Sequence, residues 1–198
     1  MLRTCAPALI AALLLAGPAT AAGTETTWRI DPGHSTAEFS VRHLIVTNVK
    51  GTVPIKSGSV QTNAGSAVPI SVSATLDVSA LDTKNGDRDS DLRSPRWFDV
   101  AQYPTIVFTS TKISGTGDAF TIVGDLTIHG VTKSVTLEAK ALGSMTDARG
   151  NQHIGYEATT SFDRRDFGMT YMGQNGGALI AGTGVSITID VEAISRPS

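Results

Sequence analysis

The chain alternates. From Thr36 to His43, the residues Ala37, Phe39 and Val41 fall on one side, and Glu38, Ser40 and Arg42 on the other. This is the period of two that a half-buried β-strand imposes, because successive side chains leave opposite faces. The same period aligns Val49, Gly51, Val53 and Ile55, then Val68, Ile70, Val72, Ala74, Leu76 and Val78. It returns at Ile106 and Phe108, across Phe120–Ile128, across Val131–Ala141, at Ile154, Tyr156, Ala158 and Phe162, and across Val185–Ala193. Eight long strands follow, with a short one at Trp28–Ile30 before them. Pro54 marks an edge, a bulge or a bend within its strand. His129-Gly130 suits a tight hairpin, and Asp147–Asn151 a turn. No amphipathic helix longer than a turn or two is visible, and no repeat or linker. The fold class is all-β. Strict alternation gives each strand one apolar and one wetted face. Eight antiparallel strands of this kind can close into a barrel or pack as two sheets around a solid core, and the pattern weighs these equally. In a barrel, the small inward residues would leave room for an apolar occupant.

One stretch breaks the pattern. Between Leu81 and Ser110 a densely charged segment is followed by Trp97-Phe98, Tyr103-Pro104 and the apolar run Ile106–Phe108. Asn85 can cap a short helix reaching Arg93. On it Arg88 lies near Asp91 and Asp89 near Arg93, and Leu92 is the one apolar residue available to face inward. The segment reads as a charged plug and aromatic latch inserted midway through the sheet.

Composition narrows the setting. With 198 residues, the chain is long enough for one domain with a sizeable core. A net charge of −2 and the lack of a basic stripe argue against nucleic acid as a partner. Residues 1–22 have the form of a cleavable signal peptide: Arg3, an apolar run Ala8–Ala16, Pro18, and Ala19-Thr20-Ala21 as a cleavage site. Its removal takes away Cys5, the only cysteine, so the remaining domain (23–198) can have neither internal disulfide nor thiol chemistry. A bacterial periplasm fits.

Candidate chemistry is sparse. His34-Ser35 invites a nucleophile reading, but no G-x-S-x-G elbow accompanies it, and Asp31–Ser35 reads better as a hydrogen-bonded turn. The four histidines (His34, His43, His129 and His153) show no metal-ligand spacing. No catalytic residue, metal or cofactor is assigned. Arg164-Arg165 could bind a diphosphate or pair with nearby carboxylates. The glycine-rich stretch Gly173–Gly184 could gate an opening, and it lacks the Lys-Ser/Thr of a nucleotide loop.

Several motifs together carry a family resemblance. Trp28–Ser35 with Phe39–His43, the insert from Asp87 through Trp97-Phe98 to Phe108, Gly124–Lys133, Arg165–Met169 and Val185–Ala193 together resemble the YceI-like family along the whole exported chain. The resemblance implies a lipocalin-like, single eight-stranded antiparallel barrel with a short helical insert. It also implies a periplasmic carrier of an isoprenoid lipid, an isoprenoid quinone or polyprenyl phosphate, held in an interior tunnel. One departure is Gly51-Thr52-Val53, where the family usually has an aromatic after the glycine. The expected ligand-binding residues are Phe39, Val41, Leu76, Leu92, Phe98, Phe108, Leu126, Ile128 and Phe167, with Arg88 or Arg165 at the headgroup. Transient membrane contact and a homodimer are compatible with this reading. The alternative is an enzyme, or an effector of one, using the same pocket for a hydrophobic metabolite.

Overall fold

The computed structural model describes residues 25–172 and 181–196. The expected signal peptide and most of the glycine-rich stretch lie outside them. Among the described residues, ten strands form one antiparallel sheet: β1 (Glu25–Ile30), β2 (Thr36–His43), β3 (Thr47–Thr52), β4 (Ile55–Asn63), β5 (Pro69–Asp77), β6 (Thr105–Thr116), β7 (Ala119–Ile128), β8 (Val131–Thr146), β9 (Gln152–Asp163) and β10 (Ala181–Ser195). The order is β1-β4-β5-β6-β7-β8-β9-β10-β2-β3, and β1 also pairs with β10, so the sheet closes. The ten strands make eight staves. β10 pairs with β2 from Ala181 to Asp190 and with β1 at Ala193 and Ile194, so β1 and β2 are two halves of one bent stave. β3 and β4 are likewise halves of another, pairing with β2 and β1 respectively. Val53-Pro54 makes the second bend, where proline's missing N–H leaves no gap in a ladder.

The strand pattern holds with two differences. Residues 56–63, left without a strand in the sequence pattern, form most of β4. Their inward positions carry Gly58, Val60 and Thr62 rather than an apolar series, and a register shift falls between Ile55 and Ser57. Thr62 is buried because it accepts a hydrogen bond from Trp28 Nε1 at 3.0 Å. In β5, Ile70 faces out rather than in. A register shift opposite Gln61 and Thr62 turns Pro69 inward and leaves Ile70 40% exposed.

Left-handed backbone recurs in the turns, and two of them matter here. At β7–β8, His129 (φ 51) precedes Gly130 (φ 73), where the glycine adopts that conformation freely. At β2–β3, Leu44 (φ 48) and Ile45 (φ 65) adopt it, and Val46 N–H donates to the His43 carbonyl at 3.1 Å. Left-handed backbone costs a non-glycine residue about 1–2 kcal/mol.

Between β5 and β6 the charged segment forms helix α1 (Gly86–Arg93), capped as expected by Asn85, whose side chain accepts from Arg88 N–H. Its expected ion pairs are absent. Arg88 donates to Thr83 Oγ1 at 2.7 Å and to the Thr83 carbonyl at 2.8 Å. Asp89, buried, accepts from Thr83 N–H at 2.9 Å and Oγ1 at 2.5 Å. Arg93 donates to the Ser79 and Leu81 carbonyls. The loop backbone needs these partners, having no ladder of its own.

The buried residues form two clusters. One, around Trp28, Ile30, Val60, Phe120 and Tyr156, fills the end of the barrel away from the insert. The other, around Val53, Val78, Leu81, Ile106, Ile128, Phe167 and Met169, lies under the insert. Phe167 is 1% exposed and meets the Phe162 ring edge-on at 5.0 Å. Phe167→Ala is expected to lower the unfolding free energy by about 3–5 kcal/mol, read from urea denaturation. Phe98→Ala, at a position only partly buried, should lower it by much less.

Candidate functional site

The barrel is hollow, and residues of both buried clusters form the wall of the cavity. The strands supply large aliphatic side chains on alternate positions, yet several inward sites are alanine or glycine, so facing side chains do not meet. The cavity is about 370 Å³ and runs from Ile30, Pro69 and Phe120 at one end to Arg42, His43, Arg88, Asp91 and Ala181 at the other. That volume lies within the roughly 300–1,000 Å³ usual for small-molecule sites. Gly124 sets part of its width: a Cβ there would collide with the Phe108 ring. At Gly51, a Cβ would stand 2.6 Å from Phe39 Cζ.

The two ends differ. At the far end lies the β4–β5 turn, whose Ala67 carbonyl accepts from Tyr156 Oη at 3.0 Å. Burial without a charged partner there pushes the Tyr156 phenol well above its ordinary range. The near end is rimmed by charged side chains from the β2–β3 hairpin, α1 and the short 3₁₀ turn Arg164–Phe167. On this side the outer edge of β3 has no further strand among the described residues, apart from one bridge of Thr52 to Asp82.

Nine of the eleven expected ligand-binding residues line the cavity: Phe39, Val41, Leu76, Arg88, Leu92, Phe98, Phe108, Leu126 and Ile128. The other two do not. Phe167 packs below, in the buried cluster. Arg165 points outward, with its Nη2 2.6 Å from Asp163 Oδ2, and is 56% exposed. Its neighbour Arg164 faces the cavity instead. The signal for this is simple periodicity, since Ile154, Tyr156, Ala158, Thr160, Phe162 and Arg164 are all even positions of one stave and its continuation. Arg164 is 4% exposed and meets no carboxylate among the described residues. It donates to the carbonyls of Met169, Gly182 and Ala181, and its guanidinium lies 5.1 Å over the Trp97 ring. Burial lowers its pKa from the ordinary arginine value. Trp97 also donates from Nε1 to Asp91 Oδ2 at 2.9 Å and meets Tyr171 edge-on at 5.2 Å. The insert is thereby latched to the segment that follows β9.

A second polar cluster lies outside the cavity, on the closing seam. The Ser35 hydroxyl accepts from Glu192 N–H at 3.0 Å and donates to the Glu192 carbonyl at 3.3 Å. It is committed to the backbone rather than to His34. His34 Nδ1 lies 3.1 Å from Asp31 Oδ2. His153 bridges Glu192 Oε1 at 2.7 Å and Asp147 Oδ2 at 3.3 Å. Asp31, His34 and Glu192 bring donor atoms within 4.8 Å of one another, the one such trio among the described residues. The trio is already satisfied by its own hydrogen bonds.

The chain matches the YceI-like domain model over residues 28–193. It belongs to the YceI-like family. Protein YceI of Escherichia coli O157:H7 is 34% identical over 164 residues, 82% of this chain and 83% of that protein. The crystal structure of a Campylobacter jejuni YceI protein superposes with a TM-score of 0.68 at 27% identity, covering 79% of this chain and 90% of that one. A polyisoprenoid-binding domain from Saccharophagus degradans, implicated in plant cell wall breakdown, shares the fold at a TM-score of 0.60 and 13% identity, over 86% of this chain and 99% of that one.

The seam cluster makes a pH dependence. Hydrogen bonding to Asp31, with the Glu192 charge, raises the His34 pKa above its ordinary 6.5. Glu192 and Asp147 raise that of His153. Asp31 and Asp147 are lowered, by His34 and Asn151 first. The histidine contribution is therefore complete below pH about 6.5 and is lost as pH rises through the raised values. The carboxylate contribution is lost only on acidification below the ordinary carboxylate range. The melting temperature is expected to be higher at pH 5.5–6 than at pH 8.5–9, and the difference should shrink in His34→Gln with His153→Gln.

Proposed function

We propose that the protein is a binding or carrier protein for a long-chain isoprenoid lipid, an isoprenoid quinone or a polyprenyl phosphate, acting in the periplasm after removal of residues 1–22. The observation that carries this reading is the apolar cavity inside the barrel, with apolar residues at one end and charged groups at the other. An extended hydrocarbon chain fits such a shape. Each CH₂ taken from water stabilises the complex by roughly 0.8 kcal/mol before ordering costs. The headgroup would then lie at the rim, beside Arg42, His43 and Arg88. The name given to the Saccharophagus degradans relative supports the ligand class, as does membership of the family.

Binding is favoured over turnover by the state of the polar side chains along the cavity. Glu38 is held by Lys50, Arg88 by Thr83, Asp91 by Trp97 and Arg96, and Arg164 by backbone carbonyls. Each of these four has a structural partner, and none forms a nucleophile–base pair with another; Arg42 and His43, at the mouth, have no side-chain partner among the described residues.

Mass spectrometry of an organic extract, from protein purified in its native host, should find an isoprenoid lipid near one per barrel. Leu76→Trp or Leu126→Trp, each placing an indole in the cavity, should reduce that occupancy by on the order of tenfold or more while circular dichroism still reports a folded barrel. Folded variants that keep the same lipid at the same occupancy would place it outside the cavity and overturn the reading.

A further inference from the structure

We infer that the turn Leu44-Ile45-Val46 is a membrane-docking tip, inserting into the headgroup–acyl boundary of a bilayer and setting the cavity mouth against the lipid. This rests on the lipid-binding reading of the cavity and adds the element that brings the protein to its source.

Exposure comes first. Leu44, Ile45 and Val46 are 46%, 79% and 80% exposed, and none of them joins either buried cluster. Three consecutive aliphatic side chains at the tip of a hairpin serve no packing purpose within the fold. The backbone makes the choice more pointed. Both central turn positions are left-handed, the conformation that asparagine or glycine would supply with less strain. A β-branched isoleucine there is a poor turn residue, so what favours the side chains must lie outside the isolated chain.

Position and charge identify the occupant. Arg42, His43 and Val49, on the two arms of the same hairpin, line the mouth of the cavity, so the tip stands directly beyond the rim. From Phe39 to Leu76 the chain carries no acidic residue. The hairpin therefore presents Arg42 and Lys50 without an acidic residue of its own beyond Glu38, which Lys50 engages at 2.9 Å. An apolar tip with Arg42 beside it as a cation not engaged by a carboxylate among the described residues suits an anionic lipid surface. A projection of three residues is too small to supply the roughly 1,000 Å² that a stable protein interface needs.

The test uses vesicles of phosphatidylethanolamine with phosphatidylglycerol and the chain carrying Leu44→Ser, Ile45→Asn and Val46→Thr. Cosedimentation of the unaltered protein with vesicles is expected, falling on the order of tenfold or more in the triple variant. The variant's melting temperature should be equal or higher, because asparagine tolerates the left-handed turn; a merely structural role for the tip would lower it. Loading with isoprenoid from detergent micelles, without vesicles, should be unchanged. Equal vesicle binding by both proteins, or no binding by either, overturns the docking role, and in the second case a cross-linked protein at the tip would identify a protein partner instead. Failure of the unaltered protein to load from micelles would count against the cavity reading and leave vesicle binding as a separate result.

Discussion

Closure of the sheet rests on a short stretch of backbone where Arg29 and Ile30 of β1 meet Ile194 and Ala193 of β10. β10 must pair with β2 along most of its length and with β1 at its end, which requires the first stave to bend between them. The Asp31–Ser35 turn makes that bend and is fastened to β10 by its own hydrogen bonds: Asp31 N–H to the Glu192 carbonyl at 2.8 Å, and the Ser35 hydroxyl to both backbone groups of Glu192. Ala193 at this joint is fully buried. Once the ring is closed, every strand but β3 has a neighbour on each side, and the outer edge of β3 meets only the Thr52–Asp82 bridge of the insert. A hydrogen-bonded wall of that kind can stand around a void, because the ladder and the two end clusters supply order that a solid core would otherwise provide.

At the insert end, arginine does an unexpected job. Arg88, Arg93 and Arg164 all donate to main-chain carbonyls: Thr83 for the first, Ser79 and Leu81 for the second, and Met169, Ala181 and Gly182 for the third. The connections over the barrel end have few ladder partners, and buried carbonyls left unpaired are costly. A guanidinium has five donors in a rigid fork and can serve carbonyls from separate segments at once. The charged segment that broke the strand pattern is therefore held together less by ion pairs than by side chains satisfying backbone.

Much of this was legible in the sequence. The alternation gave the inward series of β2, β7, β8, β9 and β10, and Asn85 marked the helix start. The choice between barrel and sandwich was not legible from alternation, because both bury one face of each strand; only the pairing of β1 with β10 decides it. Ile70 was misplaced because a register shift is invisible in a hydropathy pattern, and β4 was missed because its inward positions are filled by glycine and a hydrogen-bonded threonine. In the candidate site, the aliphatic and aromatic wall followed from the period. Arg165 belongs to the motif that carries the resemblance, whereas the inward direction of Arg164 follows only when the period of two is continued past Phe162. The partners of Arg88 could not have been read, since they depend on how the Thr83 loop folds back on the helix.

Glycine and aromatic side chains face one another across the wall at two places, Gly124 with Phe108 and Gly51 with Phe39. In each pair the ring rests in the space that a methyl group would fill. Adding that methyl would press on the Phe39 ring and the Thr83 methyl at Gly51, and on the Phe108 ring and the Thr109 carbonyl at Gly124. The bore of such a barrel is thus set in part by single carbon atoms on its wall. A lineage built on this architecture can change the girth of what it carries through small substitutions at a few inward positions, as far as the neighbouring strand backbone can yield.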